Sequence, residues 1–271
     1  MVERGGDAAR EVGRLAFPHG GQAYTVGITG APGGGKSTLV GALLDEIRCA
    51  GAGPEVAVLA IDPSSPFTGG AILGDRVRLG DHVLDGGVFI RSMATRGHLG
   101  GLALATPQAV RVLDAAAFAC VLLETVGVGQ VEVEVAGAAD TTVVVLNPGW
   151  GDAVQANKAG LLEVADLFVI NKADRPGVAD TRRDLEAMLD LSWQHEGAWR
   201  PPIHETVATT GEGAGAVWAS VGEHRSHLEA TGALAERRRR RVLDELRTIV
   251  ARRLDPYAAA EEIIAGSAAA G

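Results

Sequence analysis

Cysteine and aromatic residues are scarce in this chain, and no long apolar run interrupts it. The two cysteines, Cys49 and Cys120, lie far apart and form no C-x-x-C pair, so we expect reduced thiols in a reducing compartment. No run of about eighteen apolar residues occurs and the N-terminus is charged, which predicts a cytoplasmic protein without a membrane partner. Excess positive charge is also absent. The net charge of −9 argues against nucleic acid as the main partner, because phosphate backbones are bound by clustered Lys and Arg.

The composition that remains predicts a chain able to bury a sizeable core. Of its 271 residues, 46% are hydrophobic and 22% are charged, which is ordinary for a globular protein. Short apolar runs alternate with segments of helical period. This alternation predicts an α/β fold, with a mainly parallel sheet and helices on both faces. The predicted strands are 24–29, 56–61, 88–90, 119–123, 142–146, 167–170 and 203–207.

A glycine-rich segment follows the first predicted strand and precedes apolar residues at helical spacing. It reads Gly30-Ala31-Pro32-Gly33-Gly34-Gly35-Lys36-Ser37-Thr38 and fits the G-x-x-x-x-G-K-[ST] phosphate-loop pattern. The backbone N–H groups of such a loop, together with the N-terminus of the following helix, bind phosphate. We therefore expect a P-loop NTPase in which Lys36 reaches the β- and γ-phosphates and the Ser37 hydroxyl binds Mg²⁺.

A second motif indicates which base is bound. Asn171-Lys172-Ala173-Asp174 directly follows the strand predicted at 167–170 and fits N-K-x-D. The carboxylate of Asp174 can accept from both N1–H and N2–H₂ of guanine, whereas adenine would leave it unpaired. Its position at the carboxyl end of a strand is where open α/β sheets bind ligands. The pair of motifs predicts a GTPase that binds GTP and GDP.

Several longer motifs, in one order, resemble the methylmalonyl-CoA-mutase-associated GTPase chaperones, a family of cobalamin-associated P-loop GTPases. The resemblance extends from about residue 24 to about residue 262. Besides the two motifs above, it is carried by 61–70, 73–78, 91–97, 124–130, 148–152, 157–158, 222–225 and 254–257.

The resemblance implies a biological role and a set of partners. It implies hydrolysis of GTP to GDP and phosphate in the service of an adenosylcobalamin-dependent acyl-CoA mutase, with Mg²⁺ as cofactor and no cobalamin bound directly. We expect residues 1–22 to be a short N-terminal extension, 23–230 the GTPase domain and 231–271 a helical dimerisation arm. Family members usually carry a longer N-terminal extension, so any role of that extension in docking on the mutase is not implied for this chain.

Four further residues are candidates for magnesium binding and catalysis. Asp62 ends a predicted strand, which points it at the Mg²⁺ site, although a turn carboxylate would look the same. The resemblance places Asp75 in a switch, near Mg²⁺ or the attacking water, and makes Arg78 (or Arg76) a candidate for completing the site. Glu124 ends the most apolar strand, where an acid is costly unless it serves a metal.

The segments around these residues carry three weaker predictions. Val128 stands where small GTPases have a water-positioning Gln, so we expect slow intrinsic hydrolysis, with Gln130 only a minor candidate for that role. The resemblance makes 148–158 a third switch, with Asp152 and Lys158 as coupling residues. It also makes Val207, Ala208 and Thr209 the backbone that packs against guanine.

The C-terminal pattern is purely helical, with Gly232 as a break. Leu234, Val242, Leu246, Ile249 and Val250 form an apolar stripe, for which we expect a homodimer. The run Arg237–Arg241 is interpreted as a solvated, ion-paired helix face. His224 and His227 are interpreted as surface residues.

Two other classes of function stay open. A nickel- or cobalt-insertion GTPase would be expected to carry a His-rich tract or paired cysteines, which this sequence lacks. An ATP-dependent kinase or transport ATPase is disfavoured by the residues at 171–174.

Overall fold

The structure is a computed structural model and describes residues 2, 6–48, 53–62, 79–94, 102–125, 137–149, 164–192 and 198–253. Within them lie seven strands and six α-helices, apart from two short 3₁₀ turns at Phe17–His19 and Gly80–Leu84. The strands are β1 (Tyr24–Gly30), β2 (Val56–Asp62), β3 (Val88–Ala94), β4 (Cys120–Thr125), β5 (Thr141–Leu146), β6 (Leu167–Asn171) and β7 (Ile203–Thr206). The helices are α1 (Gly6–Ala16), α2 (Lys36–Arg48), α3 (Leu102–Ala115), α4 (Val178–Ser192), α5 (Ala214–Thr231) and α6 (Ala233–Arg253).

All seven strands join one parallel sheet in the order β3-β2-β4-β1-β5-β6-β7. The predicted strands and the α/β fold with a parallel sheet are therefore confirmed. Strands β1, β4, β5 and β6 are buried along their whole length. Helices cover both faces, which is why these strands read as continuous apolar runs.

Alternate strand residues build a core on each face of the sheet. Val143 and Val145 of β5 face the side of α2 and α5, in a cluster with Leu43 and Val217. The residues between them, Val144 and Leu146, pack on the other face against Leu185 and Leu189 of α4, while α3 packs beside β2 and β4. No helix in the described residues is both long and apolar enough to cross a bilayer.

The polar N-terminal extension contains a helix that the sequence pattern did not indicate. Helix α1 buries only small residues, Ala9, Gly13 and Ala16. The chain then passes into β1, where the carboxylate of Asp114 on α3 accepts from the backbone N–H groups of Gln22, at 3.2 Å, and Ala23, at 2.9 Å. The start of β1 is thereby held against α3.

Helix α6 begins after a break at Gly232, as predicted, and lies against the amino ends of β5 and β6. Gly232 adopts φ of +74°, which glycine tolerates without strain. The ion pairing expected of the arginine run is confirmed, but its interpretation as a solvated face is wrong for three of the five arginines, which are partly buried. Arg237 pairs with Asp166, whereas Arg238 and Arg241 pair with Asp140, and both carboxylates are buried just before their strands. We call Arg237, Arg238 and Arg241, together with Asp140 and Asp166, the arginine clasp.

His224 is a second correction, because the residue is fully buried rather than at the surface. Its Nδ1 lies 2.8 Å from the Thr141 hydroxyl, and its Nε2 lies 3.3 Å from an Asp166 carboxylate oxygen. Burial lowers the pKa of His224 to about 4, despite the opposing charge of Asp166. The spacing of His224 and His227 along one helix did not indicate that His224 would be buried.

Candidate functional site

The phosphate-loop segment leaves the carboxyl end of β1 and enters α2 at Lys36, as predicted. Gly30 ends the strand with φ of +126°, and a Cβ there would lie 2.1 Å from the Val145 carbonyl oxygen of β5. Gly35 has φ of +85°, and a Cβ there would meet the Asn171 side-chain amide at 2.3 Å. These two glycines are thus required by close approach and by backbone conformation together.

Lys36 is buried at the first turn of α2 and folds back over its own loop. Its Nζ donates to the carbonyl oxygens of Gly30, at 2.7 Å, and Ala31, at 2.8 Å. The Gly34 N–H donates to Ala31 at 3.1 Å, which closes a tight turn. The side chain of Pro32 and that of Thr38 are exposed beside this turn. A positive charge is therefore already present where the loop would meet a polyphosphate.

Ser37 and Glu124 come together beneath the loop. The Ser37 hydroxyl donates to the Glu124 carboxylate at 2.5 Å, and both residues are buried. Glu124 lies within β4, one residue before its end, and next to Ile28 of β1 in the sheet register. A hydroxyl and a carboxylate, both oxygen ligands next to a phosphate-binding loop, fit the coordination preference of Mg²⁺.

The guanine motif meets the phosphate-loop segment directly. Asn171 donates from Nδ2 to the Gly34 carbonyl at 2.8 Å, and its Oδ1 accepts from the Thr206 hydroxyl and the Ala208 N–H, both at 3.1 Å. Lys172 has φ of +61°, and its Nζ donates to the Gly33 carbonyl at 2.6 Å. Asp174 is exposed in the following turn. Sequence reasoning predicted this convergence.

The segment after β7 forms a compact turn beside Asn171. Val207 donates its N–H to the Glu212 carbonyl at 3.0 Å, and Thr210 donates its N–H back to Val207 at 2.9 Å. Ala208 is buried, whereas Thr209 is exposed. The predicted backbone segment 207–209 therefore lies next to the guanine motif.

Several predicted residues fall outside what the structure describes. Asp75, Arg76 and Arg78 lie outside the described residues, as do Val128, Gln130, Asp152 and Lys158. Asp62 closes β2 at the carboxyl edge of the sheet, which agrees with its predicted location, but only its backbone is described. The roles assigned to these residues stay predictions.

Sequence reasoning missed two residues at this edge of the sheet. Asn147 follows β5 and donates from Nδ2 to the Gly33 carbonyl at 3.4 Å, and Thr206 supplies the hydroxyl bound by Asn171. Their position in the sequence could have indicated them, because each residue stands at the carboxyl end of a strand. The predicted third switch began at Pro148, one residue too late to include Asn147.

Comparison with known proteins identifies relatives over most of the chain. The family model described as "Methylmalonyl Co-A mutase-associated GTPase MeaB" matches residues 2–262. A protein of Pyrococcus abyssi that bears a GTPase name is 54% identical over 253 residues, covering 92% of this chain and 77% of the relative. The mouse protein named methylmalonic aciduria type A homolog, mitochondrial, is 37% identical and covers 79% of this chain and 52% of its own. The crystal structure of a LAO/AO transport system kinase aligns with a TM-score of 0.74 at 29% identity, over 90% of this chain and 73% of that one.

Proposed function

Because the chain belongs to the methylmalonyl-CoA-mutase-associated GTPase family and is a GTPase, we propose that it assists an adenosylcobalamin-dependent acyl-CoA mutase at the expense of GTP. The observation that carries the nucleotide part of the proposal is the contact between the two motifs, in which Asn171 donates to the Gly34 carbonyl and Lys172 to the Gly33 carbonyl. The mutase part is supported by the family to which the chain belongs. In this proposal the mutase, rather than this chain, holds the cobalamin.

The nucleotide binds across the carboxyl edge of the sheet. The backbone N–H groups of Gly33–Thr38 and the Lys36 ammonium hold the phosphates, as the loop geometry favours. Asp174 pairs with N1–H and N2–H₂ of guanine, and the backbone of Val207–Thr209 packs beside the base. The support for this pose is that the Asn171 side chain bonds both to the phosphate-loop segment, at Gly34, and to the segment after β7, at Ala208.

Mg²⁺ would be held by Ser37, with Glu124 as the neighbouring carboxylate. The bound ion would neutralise part of the charge on the β- and γ-phosphates. The 2.5 Å hydrogen bond between Ser37 and Glu124 keeps the hydroxyl and the carboxylate together at the foot of the loop. We propose that Asp62 and Asp75 complete the acidic side of this site, with Arg78 stabilising charge that develops in the transition state.

We further propose that hydrolysis is slow in the free protein and faster in complex with a mutase. The reason is Val128, which lacks a hydrogen-bonding atom at the position where other GTPases orient the attacking water. The partner would act through the segment around Asp75–Arg78 and through the loop that carries Asp152 and Lys158.

The test is steady-state phosphate release with and without a candidate mutase. Lys158→Ala should keep GTP affinity nearly intact and abolish the stimulation, because the interaction is formed only in the activated state. Arg14→Ala is the matched control, since it removes a positive charge that is 73% exposed and that pairs, within the described residues, with Glu11 on α1. Fast release by the free protein, or full stimulation of the Lys158 variant, would contradict the proposal.

The same helix that carries the arginine clasp is proposed to form a homodimer contact. Val242, Leu246 and Val250 lie on α6 with exposed fractions of 38%, 51% and 51%. Apolar residues at this spacing on one helix are typical of a surface covered by a partner. Leu234, at the start of the stripe, instead packs on the core. We place the assembly in the cytoplasm, where the buried Cys120 would stay reduced.

A further inference from the structure

Three segments of the nucleotide site meet at one backbone oxygen, the carbonyl of Gly33. The Gly33 carbonyl accepts from the Lys172 ammonium at 2.6 Å and from the Asn147 amide at 3.4 Å. Gly33 itself has φ of +71°, a backbone conformation that glycine adopts without strain. Asn147 is therefore a direct neighbour of the residue pair that links the guanine motif to the phosphate-loop segment.

The side-chain oxygen of Asn147, Oδ1, is buried and lacks a hydrogen-bond donor among the described residues. Exchanging the oxygen and nitrogen of the amide would bring two oxygens together at Gly33, so the assigned orientation is the one that the contacts support. A buried acceptor without a donor is unfavourable by an amount similar to a lost hydrogen bond, and such atoms are rare.

Lys172 can supply the missing donor. An ammonium group has three N–H donors, and the contact with Gly33 uses one of them. Lys172 and Asn147 contact the same carbonyl oxygen, so we expect that a rotation of the lysine side chain can bring an N–H to Oδ1. A nucleotide that packs along the lysine stem would favour this arrangement by restricting the side chain.

We propose that Asn147 is a positioning residue for Lys172, which it holds over the guanosine by accepting a hydrogen bond from Nζ while donating to Gly33. The inference deepens the proposed nucleotide site and rests on it. Asn147 does not touch the reacting atoms, so the effect falls on nucleotide affinity, equally for GDP and GTP, rather than on the rate of the chemical step. Substrate specificity is unaffected, because Asp174 reads the base.

The residues that follow Asn147 make a further contact near the nucleotide site. The next residues, Pro148 and Gly149, lie against the turn after the guanine motif, where the Gly149 N–H donates to the Thr181 hydroxyl at 3.3 Å. Thr181 in turn donates to the Gly177 carbonyl at 3.0 Å. Asn147 thus lies between the phosphate-loop segment, which it contacts at Gly33, and Pro148 and Gly149, which begin the segment after β5.

The test is a double-mutant cycle on GDP and GTP affinity, measured by calorimetry with the full chain. Asn147→Leu should weaken both nucleotides about tenfold, the effect of losing one charge-assisted hydrogen bond. Lys172→Met should weaken them at least as much. The double variant should be within about twofold of Lys172→Met alone, because residues that act through one contact are not additive.

Controls separate this role from a loss of folding. Ser92→Ala removes another buried oxygen that has no partner in the described residues, but on strand β3 at the far edge of the sheet, and should change affinity less than twofold. If Asn147→Leu is poorly folded by circular dichroism, Asn147→Ala removes the same atoms without added bulk. Unchanged affinity in a folded Asn147 variant, or additive losses in the cycle, would overturn the inference while leaving the GTPase site intact. Failure of the unsubstituted chain to bind guanine nucleotides would reject both.

Discussion

The arginine clasp makes a strong prediction about stability. Asp140 has only 1% of its side chain exposed, and it accepts from Arg238, Arg241 and the Thr25 N–H. Asp140→Asn keeps the shape of the residue but leaves two guanidinium groups without their anion. Breaking a buried pair by removing one partner costs about 3–5 kcal/mol. Because Arg238 and Arg241 keep 27% and 24% exposure and can turn partly to water, we expect the lower end, about 3 kcal/mol.

A loss of that size is readily measured. For a chain of this length it corresponds to a fall in melting temperature of about 5 °C. Urea unfolding followed by circular dichroism should report the same loss as a lower midpoint at unchanged slope. Glu236→Gln is the control, because its ion pair with Arg239 is exposed and screened by solvent, so its loss should leave the unfolding midpoint nearly unchanged. A stability for Asp140→Asn within about 1 kcal/mol of the unsubstituted chain would refute the assignment of the clasp, by the same scale.

The pH dependence of this variant provides an independent check. Burial alone would raise the pKa of Asp140, but the hydrogen bond from Arg238 and the charges of Arg241 and Arg238 outweigh it and leave the pKa below its usual value. A lowered pKa in the folded state means that the contribution is fully present above the unfolded pKa, near about 4, and is lost as the pH falls through the folded value. The difference between Asp140→Asn and the unsubstituted chain should therefore shrink below about pH 4.

Three other predictions concern the base, a buried histidine and the exposed helix face. Asp174→Asn should weaken GTP binding and improve binding of xanthosine triphosphate, whose added carbonyl suits an amide; equal GTP affinity by calorimetry would reject Asp174 as the base-reading residue. His224 has a folded pKa of about 4 and stays neutral when folded, so the unfolded state binds more protons below about pH 6.5. Acidification from there to about pH 4 should cost roughly 3 kcal/mol of stability, and a folded His224→Gln variant with the same slope would disprove this source. Leu246→Glu should convert a dimer to a monomer in light scattering, whereas a monomeric unsubstituted chain at micromolar concentration would refute the dimer.

The nucleotide edge of the sheet could be predicted from the sequence because its geometry is local. Strands that are buried on both faces appear as continuous apolar runs, and Gly30, Gly33 and Gly35 of the phosphate-loop segment have the positive φ that the glycine pattern of the motif encodes. The segments that follow β1 and β6 are expected on the same side of the sheet, because parallel strands present their carboxyl ends at one edge. The contacts between Asn171 and Gly34 and between Lys172 and Gly33 realise that expectation.

Helix α1 escaped the sequence analysis for a different reason. Its buried face consists of Ala9, Gly13 and Ala16, while Leu15 is 59% exposed. A periodicity argument detects large apolar residues that recur on one face of a helix. Here the spacing is helical but the buried residues are small, so the segment has no row of large apolar side chains that would mark it as a packed helix.

The arginine run could not be assigned from sequence because its partners are distant along the chain. Asp140 and Asp166 each stand one residue before a strand, and nothing local marks them as the anions that α6 reaches. Charges in a row on a helix predict a solvated face, and Arg239 behaves in that way by pairing with Glu236 on its own helix. Arg237, Arg238 and Arg241 are paired through tertiary structure, because α6 crosses the amino ends of β5 and β6.

This placement of α6 determines how the proposed dimer has to be tested. Truncation after Gly232 would remove the exposed apolar stripe, but it would also leave Asp140 and Asp166 buried without Arg237, Arg238 and Arg241. Loss of assembly in such a protein would then be indistinguishable from loss of folding, since uncompensated buried charges are strongly destabilising. Substitution at Leu246 avoids this confusion, because the residue is half exposed and lies outside the clasp. Leu246→Glu should therefore abolish assembly while the melting temperature of the monomer, measured at high dilution, stays within a few degrees of the unsubstituted chain.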